Sequence, residues 1–214
     1  MAHYGVLFLD ELPEFKRDAL EALRQPLEDG VVSVARVNAK VTYPADFMLV
    51  AAMNPCPCGN YGSAMRECRC TTNQIKGYLG RVSGPLLDRI DMHIELSEVS
   101  YTEISSKSVQ ETSESIKKRV NKARKIQQNR FKNIKAYTNA QITGSQVKAF
   151  CKTDESGEEL LKTAFSKLDI SARSYNRILK VARTIADLSE EEKITSNHIA
   201  QAIQFRTLDR KYWG

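Results

Sequence analysis

Two carboxylates stand together at Asp10 and Glu11, directly after the apolar run Gly5-Val6-Leu7-Phe8-Leu9. An adjacent acid pair suits phosphoryl chemistry, in which one acid holds a hydrated Mg²⁺ and the next polarises a water. The alternative is an ordinary acidic loop behind a buried strand. A second apolar run, Phe47 to Met53, ends at Asn54-Pro55. The Asn54 amide could bind a phosphate oxygen or align a water, though Asn-Pro is also common turn chemistry. Cys56, Cys58, Cys68 and Cys70 form two Cys-x-Cys pairs around a nine-residue linker with Gly59 and Gly62. Four thiolates so joined can close a tetrahedron around Zn²⁺, while reduced thiols or redox chemistry are the competing readings. Cys151 stands apart and reads as a core residue. Arg89, close to Asp88 and Asp91, either joins a local salt bridge or offers a guanidinium to another molecule's phosphate.

Positioning such groups takes strands and helices. Val6 to Leu9 is too short for a helix and reads as a strand buried on both faces of a parallel sheet. Ligands bind outside the carboxyl ends of such strands, so the two strand tips are expected to share one pocket. Pro13 starts a helix with Phe15, Ala19, Leu20 and Leu23 on one face, ended by Pro26 and Asp29-Gly30. Val31 to Tyr43 reads as a β-hairpin with Arg36 and Lys40 near its tip, where they either touch a nucleic-acid backbone or are solvated. Gly84-Pro85 opens a single helical turn, and Met92 to Leu96 alternates like a closing strand. His93 carries no assigned role.

The chain of 214 residues has 42% hydrophobic content, enough for one or two domains, and a net charge of +6. Residues 101–214 hold 22 basic and 13 acidic side chains against 10 and 13 before them, so the positive excess lies wholly in the second half. That imbalance points toward a polyanionic partner. No run reaches the length of a membrane span and the first residues lack a signal pattern; a soluble, cytoplasmic protein is expected. Polar Ser97 to Thr112 marks a domain junction. Helices follow from Ser115, over Glu158 to Leu168, from an N-cap at Ser171 through Leu188, and from Thr195-Ser196-Asn197 onward. Lys117 to Lys135 holds nine basic residues and no acid, which reads as a solvated face or a DNA contact. Arg173 opposes the dipole at the start of its helix, a local cost that function would explain. His198 reads as surface.

Gly5-Val-Leu-Phe-Leu-Asp-Glu-Leu-Pro-Glu-Phe, Leu23-Arg-Gln-Pro-Leu-Glu-Asp-Gly, Asn54-Pro-Cys-Pro-Cys-Gly and Ser83-Gly-Pro-Leu-Leu-Asp-Arg-Ile-Asp occur in that order. The set resembles the magnesium-chelatase-like AAA+ ATPases of bacteria, the YifB/ComM family. The resemblance implies an α/β fold, the distal half of a P-loop NTPase core over 1–100, followed by an α-helical lid over 101–214. Asp10 and Glu11 would match Walker B, Asn54 sensor 1, Arg173 sensor 2, and Arg89 the arginine finger, with Arg81 a weaker match. The hairpin would face a ring's pore, and the cysteine pairs match the family pattern. The implied activity is ATP hydrolysis with Mg²⁺ in a homo-oligomeric, hexamer-like ring that remodels or unwinds DNA in transformation or recombination. A motor subunit of a metal chelatase, or a zinc-stapled nucleic-acid-binding module without ATPase activity, are the rival readings. The departure is the missing Gly-x-x-x-x-Gly-Lys-Ser/Thr phosphate loop. A fragment lacking that loop and a Lon-like N-terminal domain, inactive alone, is therefore expected.

Overall fold

A computed structural model of the chain describes residues 2–36, 39–96, 98–99, 101, 105, 111–167 and 171–206, with only the backbone of Arg36 and Ala39. They divide into two compact units, one running to Ile90 and one from Asp91. Asp91 goes with the second because it pairs with Arg177 at 2.6 Å, and the His93 N–H donates to the Phe205 carbonyl at 2.8 Å.

In the first unit, β1 (Val6–Leu9) and β4 (Met48–Ala51) pair in parallel, Leu9 opposite Ala51. β2 (Val31–Arg36) and β3 (Ala39–Pro44) form an antiparallel hairpin, in register from Val31–Pro44 to Arg36–Ala39. Its Val37-Asn38 tip lies outside the described residues. A 3₁₀ turn at Leu12–Glu14 leads to α1 (Arg17–Ala22) and α2 (Arg24–Asp29). Pro26, expected to stop the helix, instead sits inside α2. It occupies the first turn, where backbone N–H groups have no intrahelical partner to lose. Gly30, at φ 66°, makes the actual stop. α3 (Thr72–Leu79) starts at a Thr71–Gln74 capping box, and α4 (Gly84–Leu87) at the Ser83 hydroxyl. Leu12, Leu20, Val82, Leu86 and Leu87 form the buried core, packed by Leu9, Leu23, Leu27, Met53 and Ile90.

Two expectations fail here. β1 is not buried on both faces: Val6 and Phe8 are each 59% exposed, and their register partners Met48 and Val50 are exposed beside them. The sheet has two strands, and only the Leu9 side packs on the core. Met92 to Leu96 forms no strand, because among the described residues no neighbouring strand offers it a ladder; Ile94 and Leu96 point to solvent.

The second unit is helical: α5 (Ser113–Arg130), α6 (Gly144–Phe150), α7 (Glu155–Lys167), α8 (Ala172–Leu188) and α9 (Ser196–Gln204). Ile142, Val147, Leu161, Ile178, Ala182, Ile194 and Ile199 lie in its core. Cys151 is buried there, as its apolar setting predicts; burial pushes its thiol up to about 11. His198 is not surface but 4% exposed. It is the third residue of α9, and its Nδ1 accepts the Thr195 N–H at 3.1 Å in a capping box that draws the ring inward. Polar groups are buried as well. Asp187, at 0% exposure, receives both Arg130 nitrogens at 2.8 and 2.5 Å, Arg183 Nε at 3.1 Å and Asn139 Nδ2 at 2.8 Å. Arg183 also donates to the Glu191 and Glu192 carbonyls, each at 2.5 Å. No helix among the described residues is long and apolar enough to cross a membrane.

Candidate functional site: a strand edge beside a cysteine knot

Because β1 and β4 run parallel, both carboxyl ends open on the same edge of the sheet. Past β1 the ladder continues in a distinctive way. The Ala52 N–H donates to the Leu9 carbonyl at 2.9 Å, and the Leu12 N–H donates to the Ala52 carbonyl at 3.0 Å. One residue of the β4 side thus anchors Leu9 and Leu12, and the two acids between them are looped out of the ladder toward solvent. The loop is locally strained. Glu11 sits in the left-handed region, φ 50° and ψ 47°, and its N–H is accepted by Asp10 Oδ1 at 2.9 Å. A side chain with a Cβ adopts that conformation at a cost of about 1–3 kcal/mol, and such residues cluster at functional sites. Asn54 leaves β4 at the same edge, exposed.

Sequence reasoning overlooked a tyrosine at this edge. Tyr78 of α3 is 6% exposed and lies near the Asn54 backbone. Burial is the main cause of a raised phenol pKa, opposed by the Asn54 backbone and reinforced by Glu14, Glu11 and Cys56. The only signal available in the sequence was an aromatic on a capped helix after the second cysteine pair.

The four cysteines come together as their spacing allows. Cys56 Sγ lies 3.4 Å from Cys58 Sγ and 3.7 Å from Cys68 Sγ, and Cys58 Sγ is 3.6 Å from Cys68 Sγ. All four ligand atoms fall within 4.8 Å of one another. Tetrahedral Zn²⁺ with bonds of about 2.3 Å needs sulfurs roughly 3.8 Å apart, so the donor set fits a four-thiolate metal. All are free thiols rather than disulfides. The Gly59 N–H bonds the Cys56 carbonyl at 3.0 Å, and Gly59 at φ 79° and Gly62 at φ 82° supply the turns that fold the pairs together. Backbone donors from Asn60 and Arg69 hold the Cys58 thiol down to about 6. A backbone bond from Cys70 lowers the Cys68 thiol, but burial and its neighbours' sulfurs together outweigh it and push the thiol up to about 12.

The arginines divide. Arg81, exposed, donates to Glu14 at 2.9 Å and to the Pro13 carbonyl at 3.2 Å, beside the loop that follows the acid pair. With Pro13, Phe15, Arg17, Gly77 and Gly80 these groups line an open hollow of about 330 Å³. Arg89 is 8% exposed at its side chain, ion-paired to Glu28 of α2 and bonded to the Pro85 carbonyl at 2.7 Å. Lys40 is exposed on β3 opposite Ala35, and Arg36 ends β2. Arg173 belongs to the other unit, exposed at the start of α8.

A parallel-strand edge carrying an acid pair and an amide is the kind of place where open α/β sheets bind ligands. Comparison with known proteins specifies the class. Residues 1–104 match the model for magnesium chelatase, subunit ChlI, and residues 110–206 match that for the ChlI C-terminal region. The chain belongs to the magnesium-chelatase-like family. It is 44% identical over 211 residues to the competence protein ComM of Haemophilus influenzae and 44% identical over 212 residues to the uncharacterized protein YifB of Escherichia coli. An uncharacterized Mycobacterium tuberculosis protein is 37% identical over 205 residues. The alignments cover 96–98% of this chain but 40% of each relative, so the chain spans two fifths of their length.

Proposed function

We propose that the chain is part of an AAA+ ATPase motor. The first unit supplies the distal half of the nucleotide-binding core and the second its helical lid. The observation that carries this reading is the shared edge of β1 and β4, where two looped-out acids and Asn54 emerge together. Asp10 is suited to hold Mg²⁺, Glu11 to orient the attacking water, and Asn54 to fix that water or a phosphate oxygen. ATP supplies the phosphoryl group. Further strands of the intact protein would cover the apolar face of Val6, Phe8, Met48 and Val50 and bring the phosphate loop that this sequence lacks. Arg173 would reach the γ-phosphate from the lid. Arg89 would act on a neighbouring subunit's nucleotide in a homo-oligomeric ring, which requires its pair with Glu28 to open. The four-cysteine cluster holds a structural Zn²⁺ that fixes the exit of β4. Arg36 and Lys40 of the hairpin would contact DNA, and the motor remodels or unwinds DNA in transformation or recombination, in keeping with a relative named a competence protein.

The test uses the full-length protein. Changing Glu11 to Gln is expected to lower Mg²⁺-dependent ATP turnover about 100-fold or more while nucleotide still binds. The 214-residue chain alone should show no turnover, because the acids have no phosphate loop to work with. Unchanged turnover in the Gln variant would remove Glu11 from the reaction and leave the zinc-stapled nucleic-acid module as the better reading.

A further inference from the structure

α5 carries more positive charge than its own fold uses. No acidic residue occurs from Ser115 to Thr153. Within that stretch four cations are spoken for. Lys118 pairs with Glu114 at 3.1 Å, Arg119 with Glu111 at 2.7 Å, Lys122 with Glu190 at 2.8 Å, and Arg130 with buried Asp187. Lys117, Arg124, Lys125, Lys132 and Lys135 have no ion pair among the described residues. At about 100° per residue, Lys117, Asn121, Arg124, Lys125 and Gln128 share a sector roughly 100° wide, and all five are exposed. Ala123 and Gln127, the residues α5 buries, lie on the opposite side. Lys132 and Lys135, also exposed, prolong the stripe beyond the helix end.

Lys117, Arg124 and Lys125 are exposed and take no part in the core of the unit. An array of cations with Asn and Gln between them matches a phosphate backbone: point charges for the anionic oxygens, and amides to hydrogen-bond them. Residues 113–130 contain no aromatic side chain, so the stripe offers unpaired bases no surface to stack on. A straight helix about 27 Å long instead suits the rigid, regular backbone of a duplex.

We propose that the Lys117–Asn121–Arg124–Lys125–Gln128 face of α5 is a contact surface for the phosphate backbone of duplex DNA, binding without regard to sequence. It rests on the DNA-remodelling reading only in taking DNA as the polyanion, and it adds a surface separate from the β2–β3 hairpin.

The experiment measures fluorescence anisotropy of labelled 30-base-pair duplexes of two unrelated sequences against the whole 214-residue chain, between 50 and 300 mM salt. Three proteins are compared: the wild type, a triple variant Lys117→Ser/Arg124→Ser/Lys125→Ser, and a hairpin variant Arg36→Ser/Lys40→Ser. The wild type is expected to bind both sequences equally. The triple variant should lose about 10- to 100-fold in affinity near 100 mM salt, and its log–log salt slope should fall by about 2.7, three phosphate contacts' worth. Its thermal melt should be unchanged, because all three positions are exposed. Lys117→Arg/Lys125→Arg should bind like the wild type, charge being what matters. An unaltered slope in the triple variant overturns the proposal; if the hairpin variant alone then loses binding, the DNA reading survives without it. Absence of salt-dependent DNA binding by the wild type overturns both. Tighter binding to a 30-nucleotide single strand, or to anionic phosphatidylserine vesicles with none to duplex, also overturns the assignment.

Discussion

Around Ile178 and Ala182 thirteen buried apolar side chains close the interior of the helical unit. Around Leu20 and Leu86 five do so, among the described residues, for the sheet-bearing unit, whose two-stranded parallel sheet keeps Val6, Phe8 and Met48 in solvent. A parallel pair covered on one face is marginal by itself, so that unit depends more on local devices: caps at Thr71 and Ser83, the stop at Gly30, and the cysteine knot. The helical unit adds a buried ionic node to an already sufficient core. One unit thus hangs on staples near its candidate site, and the other on its centre.

If that contrast is right, the largest single effect lies at Asp187. Changing it to Ala leaves Arg183 and Arg130 buried without their shared carboxylate and removes the bond that holds Asn139. Loss of one partner of a buried ion pair costs about 3–5 kcal/mol. Cooperative unfolding of residues 111–206 at a lowered urea midpoint is expected, with Cys151 becoming open to alkylation. Hydrogen exchange in 2–90 should stay as it was. Equal loosening of both units would refute the separation.

Stripping metal from the cysteine cluster tests the other side. A metal joining Cys56 to Cys70 closes a loop of about 15 residues, worth roughly 3 kcal/mol by loop-closure entropy. Treatment with a strong zinc chelator should release one Zn²⁺ per chain and speed amide exchange roughly 100-fold across 54–80. The helical unit should not respond. Release of no zinc, or exchange that does not change, would show that hydrogen bonds and turns alone hold the knot.

How much of this could be read beforehand depended on whether the cause was local. The β1 and β4 runs, the hairpin, the cap at Ser171 and the clustering of four cysteines follow from periodicity, turn chemistry and spacing within a few residues. Burial did not follow, because β1 is an apolar run whether or not a layer covers it, and only the pairing partners reveal that Val6 and Phe8 are open. Met92 to Leu96 has strand-like alternation with no strand to join. The Asp187 node was invisible because its members lie at positions 130, 139, 183 and 187, and charged side chains are by default surface residues. Tyr78 was missed for the same reason: its neighbour, the Asn54 backbone, is 24 positions away.

The smallest effect, and the one with the opposite sign, concerns Glu11. Among the described residues three non-glycines have positive φ: Tyr4, Glu11 and Glu190. Glu190 lies just past α8, where a left-handed residue is an ordinary helix stop, and its carboxylate is engaged with Lys122. Glu11 is exposed, its side chain has no comparable structural use, and glycine would fit its backbone better. Glu11→Gly should relieve about 1–2 kcal/mol of strain and lose about 0.5–1 kcal/mol to the freer unfolded chain, a net gain of roughly 0.5–1 kcal/mol. Glu11→Ala keeps a Cβ and should gain nothing. The Gly variant would thus unfold at higher urea while, in the full-length protein, ATP turnover falls as far as with Gln. A position where the chain gives up stability to keep a carboxylate is one held for chemistry. If the Gly variant is less stable than wild type, the strain is not at Glu11, and the acid is retained for the fold.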